Sequence, residues 1–396
     1  MTSQIEKFIS KLSNQGLAQP IDTTMMFLDA DISANKPLAD CEPELLSVFD
    51  LMNINSLLFA KPSEPYWSII QYLINNNLHH DKIIPQDCET KTFFHDIPVI
   101  ESFDAHSISK ALSARKSVII KNRGIASWGH VSLEQAFVSF SSACFSTYVK
   151  FFDDMLKNFY HDAADEITAK HLNSILGQLE PTIPDFRPSQ LHKGAAKNET
   201  ETLRMIIEAG RSVVRHRLVD SFFGNISAVF NEKIFISQTG SSLEDLEACI
   251  DAVPLDGSSS SGITASSELS AHKKIYASTN NRVILHGHPK FSVIMSMYAS
   301  RNNSSDSECL LFGIPLVSGD IGTGTGGIVH TVPPAIKQAG CALVTGHGIF
   351  TSGLDDFNAP LSRMLEAEKC CMQECMQLLR SGCPSSLTKF LPNLYN

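Results

Sequence analysis

Two histidines one residue apart, His286 and His288, close an apolar run in NNRVILHGHPKFSVIMS, residues 280–296. Side chains on a strand alternate faces, so positions i and i+2 project the same way with backbones about 7 Å apart. That spacing suits chelation, and equally suits two half-exposed polar side chains. A third histidine, His347, ends another apolar run in VTGHGIF, between glycines that permit close backbone approach. Glu268 lies upstream in ASSELSAH. Three imidazoles with a carboxylate or a water are the donor set of a catalytic zinc site with an open position. Spacing alone leaves their assembly open.

These residues need elements to position them. AVFNEKIFIS and NNRVILHGHP read as strands between turn residues, and SSELSAHKKIYAS as a helix entered through a serine cap. CALVTGHGIFTSG reads as a strand pair, followed by a long helix over LDDFNAPLSRMLEAEKCCMQECMQLLR. Upstream, ETETLRMIIEAGRSVVRHRLVDSFFGNIS has helical spacing up to about Phe223, with Gly224 placed to stop the helix. Strands and helices in this order imply a layered α/β domain.

A chain of 396 residues is long for one core and predicts two domains. The boundary falls in the polar, proline-containing stretch near 161–197, giving 1–165, a linker at 166–197, and 198–396. With 43% hydrophobic and 19% charged residues and no apolar run of about 18 residues, a soluble protein without a membrane partner is expected. The amphipathic N-terminus lacks the pattern of an export signal, and ten cysteines in such a chain read as reduced thiols, so the expected location is cytoplasmic. A net charge of −10 without a Lys/Arg cluster argues against nucleic acid and leaves a small substrate as the expected partner.

FFGNIS, IFISQTGSSLEDL, SSELSAHKKIY, VILHGHPKFSVIMS and VTGHGIFTSGLDDFNAPLSRMLEAEK occur in the order found in the class II aldolase/adducin family. That family includes fuculose-phosphate and rhamnulose-phosphate aldolases and the pentulose-phosphate 4-epimerases, and the chain resembles it over about 200–396. The resemblance implies a three-layer α/β/α domain and one zinc ion in the C-terminal half, held by His286, His288 and His347. It implies Glu268 as the acid/base, and a substrate phosphate pocket from Gly224, Asn225, Thr239, Gly240, Ser266 and Ser267. Hydroxyls, amides and glycine-freed N–H groups suit an anion. The serine-rich run at 257–263 reads as a loop instead.

The implied reaction is retro-aldol cleavage of a phosphorylated keto-sugar through a metal-stabilised enediolate of dihydroxyacetone phosphate. Family aldolases use tyrosines as further acids, one near the C-terminus, which makes Tyr395 the candidate. The family's other tyrosine has only Tyr298 as counterpart, which leaves the aldehyde product open. Glu268 favours an aldolase over the epimerases, which usually carry aspartate there; a decarboxylase or dehydratase, or a non-catalytic adducin-like interaction protein, is the alternative. Related aldolases are oligomers, so a homo-oligomer is expected.

Other features have plainer readings. Cys370, Cys371 and Cys375 read as helix packing, SGDIGTGTGG as a turn, and His272 and His330 as polar histidines.

The N-terminal half resembles the C-terminal half, so the same fold is expected twice. NRGI falls on GHGI, placing Arg123 at the station of His347. SLLFAKPSEPYWSII falls on VILHGHPKFSVIM, placing Phe59 and Lys61 at those of His286 and His288, and an ungapped alignment puts Cys41 at that of Glu268. Lysine and arginine offer only donors, so this copy is expected to hold no metal. With no visible counterpart of FFGNIS or IFISQTGS, it also reads as truncated and degenerate, a stand-in for a neighbouring subunit.

Overall fold

In chain order the first elements are α1 (Thr2–Asn14), β1 (Ala18–Leu28), β2 (Ile32–Ala34), α2 (Pro43–Leu46), α3 (Val48–Leu51), β3 (Ser56–Pro62) and α4 (Tyr66–Asn76). Then come β4 (Lys82–Ile83), α5 (Cys88–Phe94), β5 (Ile97–Ile100), α6 (Ala105–Ala114), β6 (Ser117–Ile120), β7 (Gly124–Gly129), α7 (Leu133–Tyr160) and α8 (Glu166–Leu179). The computed structural model describes residues 2–76, 81–160, 166–220, 222–258, 264–302, 309–319 and 326–381. It divides into two compact units, Met1–Phe152 with Ala164–Ile183, and Asp153–Ala163 with Pro184–Asn396. The stretch expected to be a linker carries α8, grouped with the first unit.

The second series comprises α9 (Glu199–Arg215), β8 (Asn225–Phe230), β9 (Lys233–Ser237), β10 (Ile250–Pro254), α10 (Leu269–Ser278), β11 (Val283–Gly287) and α11 (Lys290–Asn302). It ends with β12 (Cys309–Leu311), β13 (Ile314–Val317), α12 (Ile328–Ala339), β14 (Cys341–Val344), β15 (Gly348–Gly353) and α13 (Asn358–Ser381). No described helix is long and apolar enough to cross a membrane.

Each unit is built on one sheet, ordered β2-β1-β3-β7-β6-β5-β4 in the first and β10-β9-β8-β11-β15-β14-β13-β12 in the second. Placed side by side, the two orders agree strand for strand, with β10 as the additional edge strand. Neighbours are antiparallel except β5 with β6 and β13 with β14, which are parallel. In that comparison β1 and β2 stand where β8 and β9, the strands of FFGNIS and IFISQTGS, stand in the second sheet.

In the second unit β11 is buried along its whole length, as a central strand covered on both faces must be. Ile284, Ala342, Val344 and Phe350 pack on one face against Ala271 and Ile275 of α10 and Val332 and Ile336 of α12. Each such large aliphatic side chain contributes about 1.5–3 kcal/mol on full burial. On the opposite face α13 comes close enough that a Cβ at Gly287 would lie 3.0 Å from the Met364 sulfur.

Three local readings are corrected. AVFNEKIFIS is a hairpin, turning at Asn231 and Glu232, both at positive φ (47° and 59°), the signature of a two-residue primed turn. The helix expected to reach Phe223 ends at Arg215, because Arg217 takes a left-handed φ of 56° and the Leu218 N–H closes onto the Val213 carbonyl at 3.0 Å. Glu268, rather than a serine, stands at the N-cap of α10, and its side chain makes no capping bond.

Candidate functional site

His286 lies near the end of β11 with Asn225 and Phe350 as its cross-strand partners, so the three side chains share a face. The Phe350 ring lies flat against the imidazole, centroids 3.8 Å apart and 12° from parallel. On the other ring edge Nδ1 lies 3.0 Å from the Ile349 carbonyl oxygen. A carbonyl only accepts, so Nδ1 carries the proton and Nε2 presents a lone pair.

That lone pair meets two others. His288 Nε2 is 2.8 Å and His347 Nε2 is 3.2 Å from His286 Nε2. His288 follows the end of β11, and His347 occupies the turn joining β14 to β15. All three side chains are buried, and burial first, then mutual repulsion, lowers the pKa of His288 well below that of a free histidine. Burial likewise lowers His286 to about 4, so His286 and His288 are neutral at pH 7. One proton can serve one pair of facing nitrogens; three converging on one point fit a cation.

Glu268 completes the cluster. Its Oε2 is 3.3 Å from His286 Nε2, its Oε1 is 3.1 Å from His347 Nε2, and the Asn225 amide donates to Oε2 at 2.7 Å. Burial works to raise its pKa, but His286, His347 and the Asn225 bond outweigh burial and hold it well below the usual carboxylate range. The site therefore sets the neutral imidazoles of His286 and His288 beside an ionised carboxylate.

Two glycines make this density possible. At Gly348 any Cβ would collide with the Gly287 carbonyl oxygen and come within 3.2 Å of His286 Cε1. At Gly224, φ is +101° and a Cβ would lie 2.6 Å from the His286 carbonyl oxygen.

Of the proposed phosphate residues, Asn225 is engaged with Glu268. Thr239 Oγ1 donates to the Ala265 carbonyl at 2.9 Å, and Ser266 Oγ accepts from the Glu268 N–H at 3.3 Å. The Ser266 N–H donates to Ser237 at 3.0 Å and the Thr239 N–H to Thr264 at 3.0 Å, so segments 237–240 and 264–267 run side by side. The Ile226 N–H donates to Ser237 Oγ at 3.2 Å, bringing 224–226 against them. Gly240 is exposed at a φ of +71°, and Ser267 is also exposed. Tyr395 and most of SGDIGTGTGG lie outside the described residues, as do residues 259–263 of the serine-rich run. Tyr298 is buried in α11.

Several residues of the site were not singled out from the sequence. Ser227 Oγ lies 2.7 Å from His272 Nδ1 and 2.6 Å from the Tyr276 hydroxyl, all behind Glu268. Lys290 donates to Asp220 at 2.5 Å, both side chains nearly buried, and this pair anchors the loop that carries Phe223. Phe223 in turn stacks on His288, centroids 5.7 Å apart. Phe350 and Ser227 stood inside the motifs quoted above; the Lys290–Asp220 pair, 70 residues apart, had no local signal.

The first unit shows what stands at the matching stations. Phe59 pairs with Thr24 and Ala126 as His286 pairs with Asn225 and Phe350, and Gly124 pairs with Ile120 as Gly348 pairs with Val344. Arg123 and Lys61 thus occupy the places of His347 and His288. The counterpart of Glu268 is Glu42 rather than Cys41. Glu42 directly precedes α2 and accepts from Thr24 Oγ1 at 3.0 Å, as Glu268 accepts from Asn225. Cys41 packs into the apolar core, where a thiol is at home. An ungapped alignment misses this by one residue.

Residues 204–375 match the sequence model described as Class II Aldolase and Adducin N-terminal domain. Among solved structures the chain is similar to l-fuculose-1-phosphate aldolase from Thermus thermophilus, at 22% identity over 46% of this chain and 96% of that one, with a TM-score of 0.38. It is similar to YgbL from Klebsiella pneumoniae at 19% identity over 46% and 92%, with a TM-score of 0.40. The sugar-phosphate aldolase from Thermotoga maritima is similar at 18% identity over 47% and 98%, with a TM-score of 0.37. No curated protein matches.

Proposed function

We propose, from the match of residues 204–375 to the sequence model described as Class II Aldolase and Adducin N-terminal domain, that the second unit is a zinc-dependent lyase that cleaves a carbon–carbon bond of a phosphorylated keto-sugar. The observation that carries this reading is the convergence of three buried imidazole Nε2 atoms beside one carboxylate.

His286, His288 and His347 would hold the metal, His286 oriented through the Ile349 carbonyl. Bound there, zinc supplies a Lewis acid for a carbonyl oxygen. Glu268 moves the proton: its ionised carboxylate takes one from substrate and returns it to the product carbon. The Asn225 amide holds that carboxylate in place, and with Glu268 only 5% exposed water is largely kept from it. Gly224, Thr239, Gly240, Ser266 and Ser267 receive the substrate phosphate through N–H and hydroxyl groups. Asn225 serves the carboxylate first. Tyr395 is the proposed second acid.

The matching sheets are read as one domain present twice, with the first copy lacking β10's counterpart and the metal ligands. A homo-oligomeric, cytoplasmic enzyme belongs to the same proposal.

The test begins with zinc per chain after dialysis, for the wild type and His286→Ala. About one ion in the wild type, lost in the variant, supports the reading and leads to assays of dihydroxyacetone phosphate release from ketose 1-phosphates. No zinc bound even when supplied ends the lyase reading in favour of a binding protein.

A further inference from the structure

In the first unit the stations of two metal ligands carry cations. We propose that Lys61 and Arg123 form a binding site for a small molecule bearing a phosphate group.

Strand register sets the two side by side. Gly124, next to Arg123, lies so close to β3 that a Cβ there would be 3.2 Å from the Lys61 backbone nitrogen. Both residues are exposed. The Arg123 guanidinium lies 4.2 Å from the centre of the Phe103 ring, and the Lys61 ammonium 5.4 Å from that of Trp67. Phe103 rests on Phe59, the residue at the station of His286, with centroids 5.2 Å apart. Aromatic faces hold the two charges without neutralising them.

Among the described residues no carboxylate pairs with either cation, whereas three other cations of this unit are paired. Lys36 meets Glu42 at 3.4 Å, Lys121 meets Glu101 at 2.9 Å, and Arg115 meets Asp96 at 2.6 Å. In a chain of net charge −10, two uncompensated cations stand here side by side. Glu42 does not supply the missing charge, since Thr24 and Lys36 already hold it.

The ligand class follows from the side chains. A metal is excluded at these positions because neither cation offers a lone pair. A guanidinium fork beside a point-charge ammonium suits an oxyanion that can be gripped from two sides, and a phosphate dianion matches both charges where one carboxylate matches only one.

The chain contains two tryptophans, Trp67 and Trp128. In the full-length Trp128→Phe protein, fluorescence reports from Trp67 beside Lys61. Titration with inorganic phosphate, against potassium chloride at equal ionic strength, should give a saturable change. Arg123→Ala should raise the Kd at least tenfold, and Arg123→Lys should fall between. His286→Ala should leave the titration unchanged, so the outcome is independent of the lyase reading. An unchanged urea midpoint for Arg123→Ala excludes misfolding. The proposal is overturned by no saturable change, by the same Kd in Arg123→Ala, or by succinate binding as well as phosphate.

Discussion

The imidazole of His286 and the ring of Phe350, cross-strand partners on β11 and β15, lie stacked with centroids 3.8 Å apart. The phenyl ring blocks one face of the imidazole, and the Ile349 carbonyl fixes its protonated edge. Groups behind a ligand of this kind usually change metal affinity by about 10–100-fold. If the proposed zinc site is real, Phe350→Leu should weaken zinc binding about tenfold while leaving a folded protein. Chelator competition measures it, and equal affinities would show that the stack has no part in holding the ring.

Gly348 is the second point of leverage. An added methyl cannot avoid the Gly287 carbonyl, which belongs to the neighbouring strand, so β11 and β15 must part at the site. Gly348→Ala should cost about 1–3 kcal/mol and, on the proposed zinc reading, leave less than one zinc per chain. Gly177, on α8 with nothing within 4 Å of its Cβ position, is the matched control. Gly177→Ala should be neutral or stabilising. Two similar urea midpoints would dismiss the argument.

His272 predicts a pH dependence of stability. Burial lowers its pKa to about 3, while the unfolded chain titrates near the ordinary value of about 6.5. Below pH 6.5 the unfolded state binds a proton that the folded state refuses, so stability is complete above that pH and declines as pH falls towards 3. The slope from this residue is up to about 1.4 kcal/mol per pH unit. His272→Asn, whose amide oxygen can replace Nδ1 as acceptor for Ser227, should show a shallower decline between pH 7 and 5 in urea titrations. Parallel curves would assign the acid sensitivity elsewhere.

Glu268→Gln separates metal binding from proton transfer. The amide keeps the shape and an acceptor for Asn225 but is no base, so zinc content should be retained while any lyase turnover falls by about 10²–10⁴-fold. Loss of zinc together with turnover would make Glu268 a ligand rather than the acid/base.

What could be read from the sequence is local. Period-two alternation put His286 and His288 on one face, and the glycines around His347 marked a close approach. The ordered motifs pointed to the family whose model matches 204–375. The repeat read at Phe59, Lys61 and Arg123 stays a proposal, which the like order of strands in the two sheets supports.

What tertiary structure alone decided depends on partners distant in the chain. Asn225 reaches Glu268 across 43 residues and His286 reaches His347 across 61. Glu42 rather than Cys41 takes the carboxylate station because Thr24, 18 residues away, holds it there. The helix expected to run to Phe223 stops at Arg215, where a buried Leu218 draws the chain into a turn. In each case periodicity measures only neighbours along the chain, whereas sheet register and burial bring together side chains whose separation along it carries no signal.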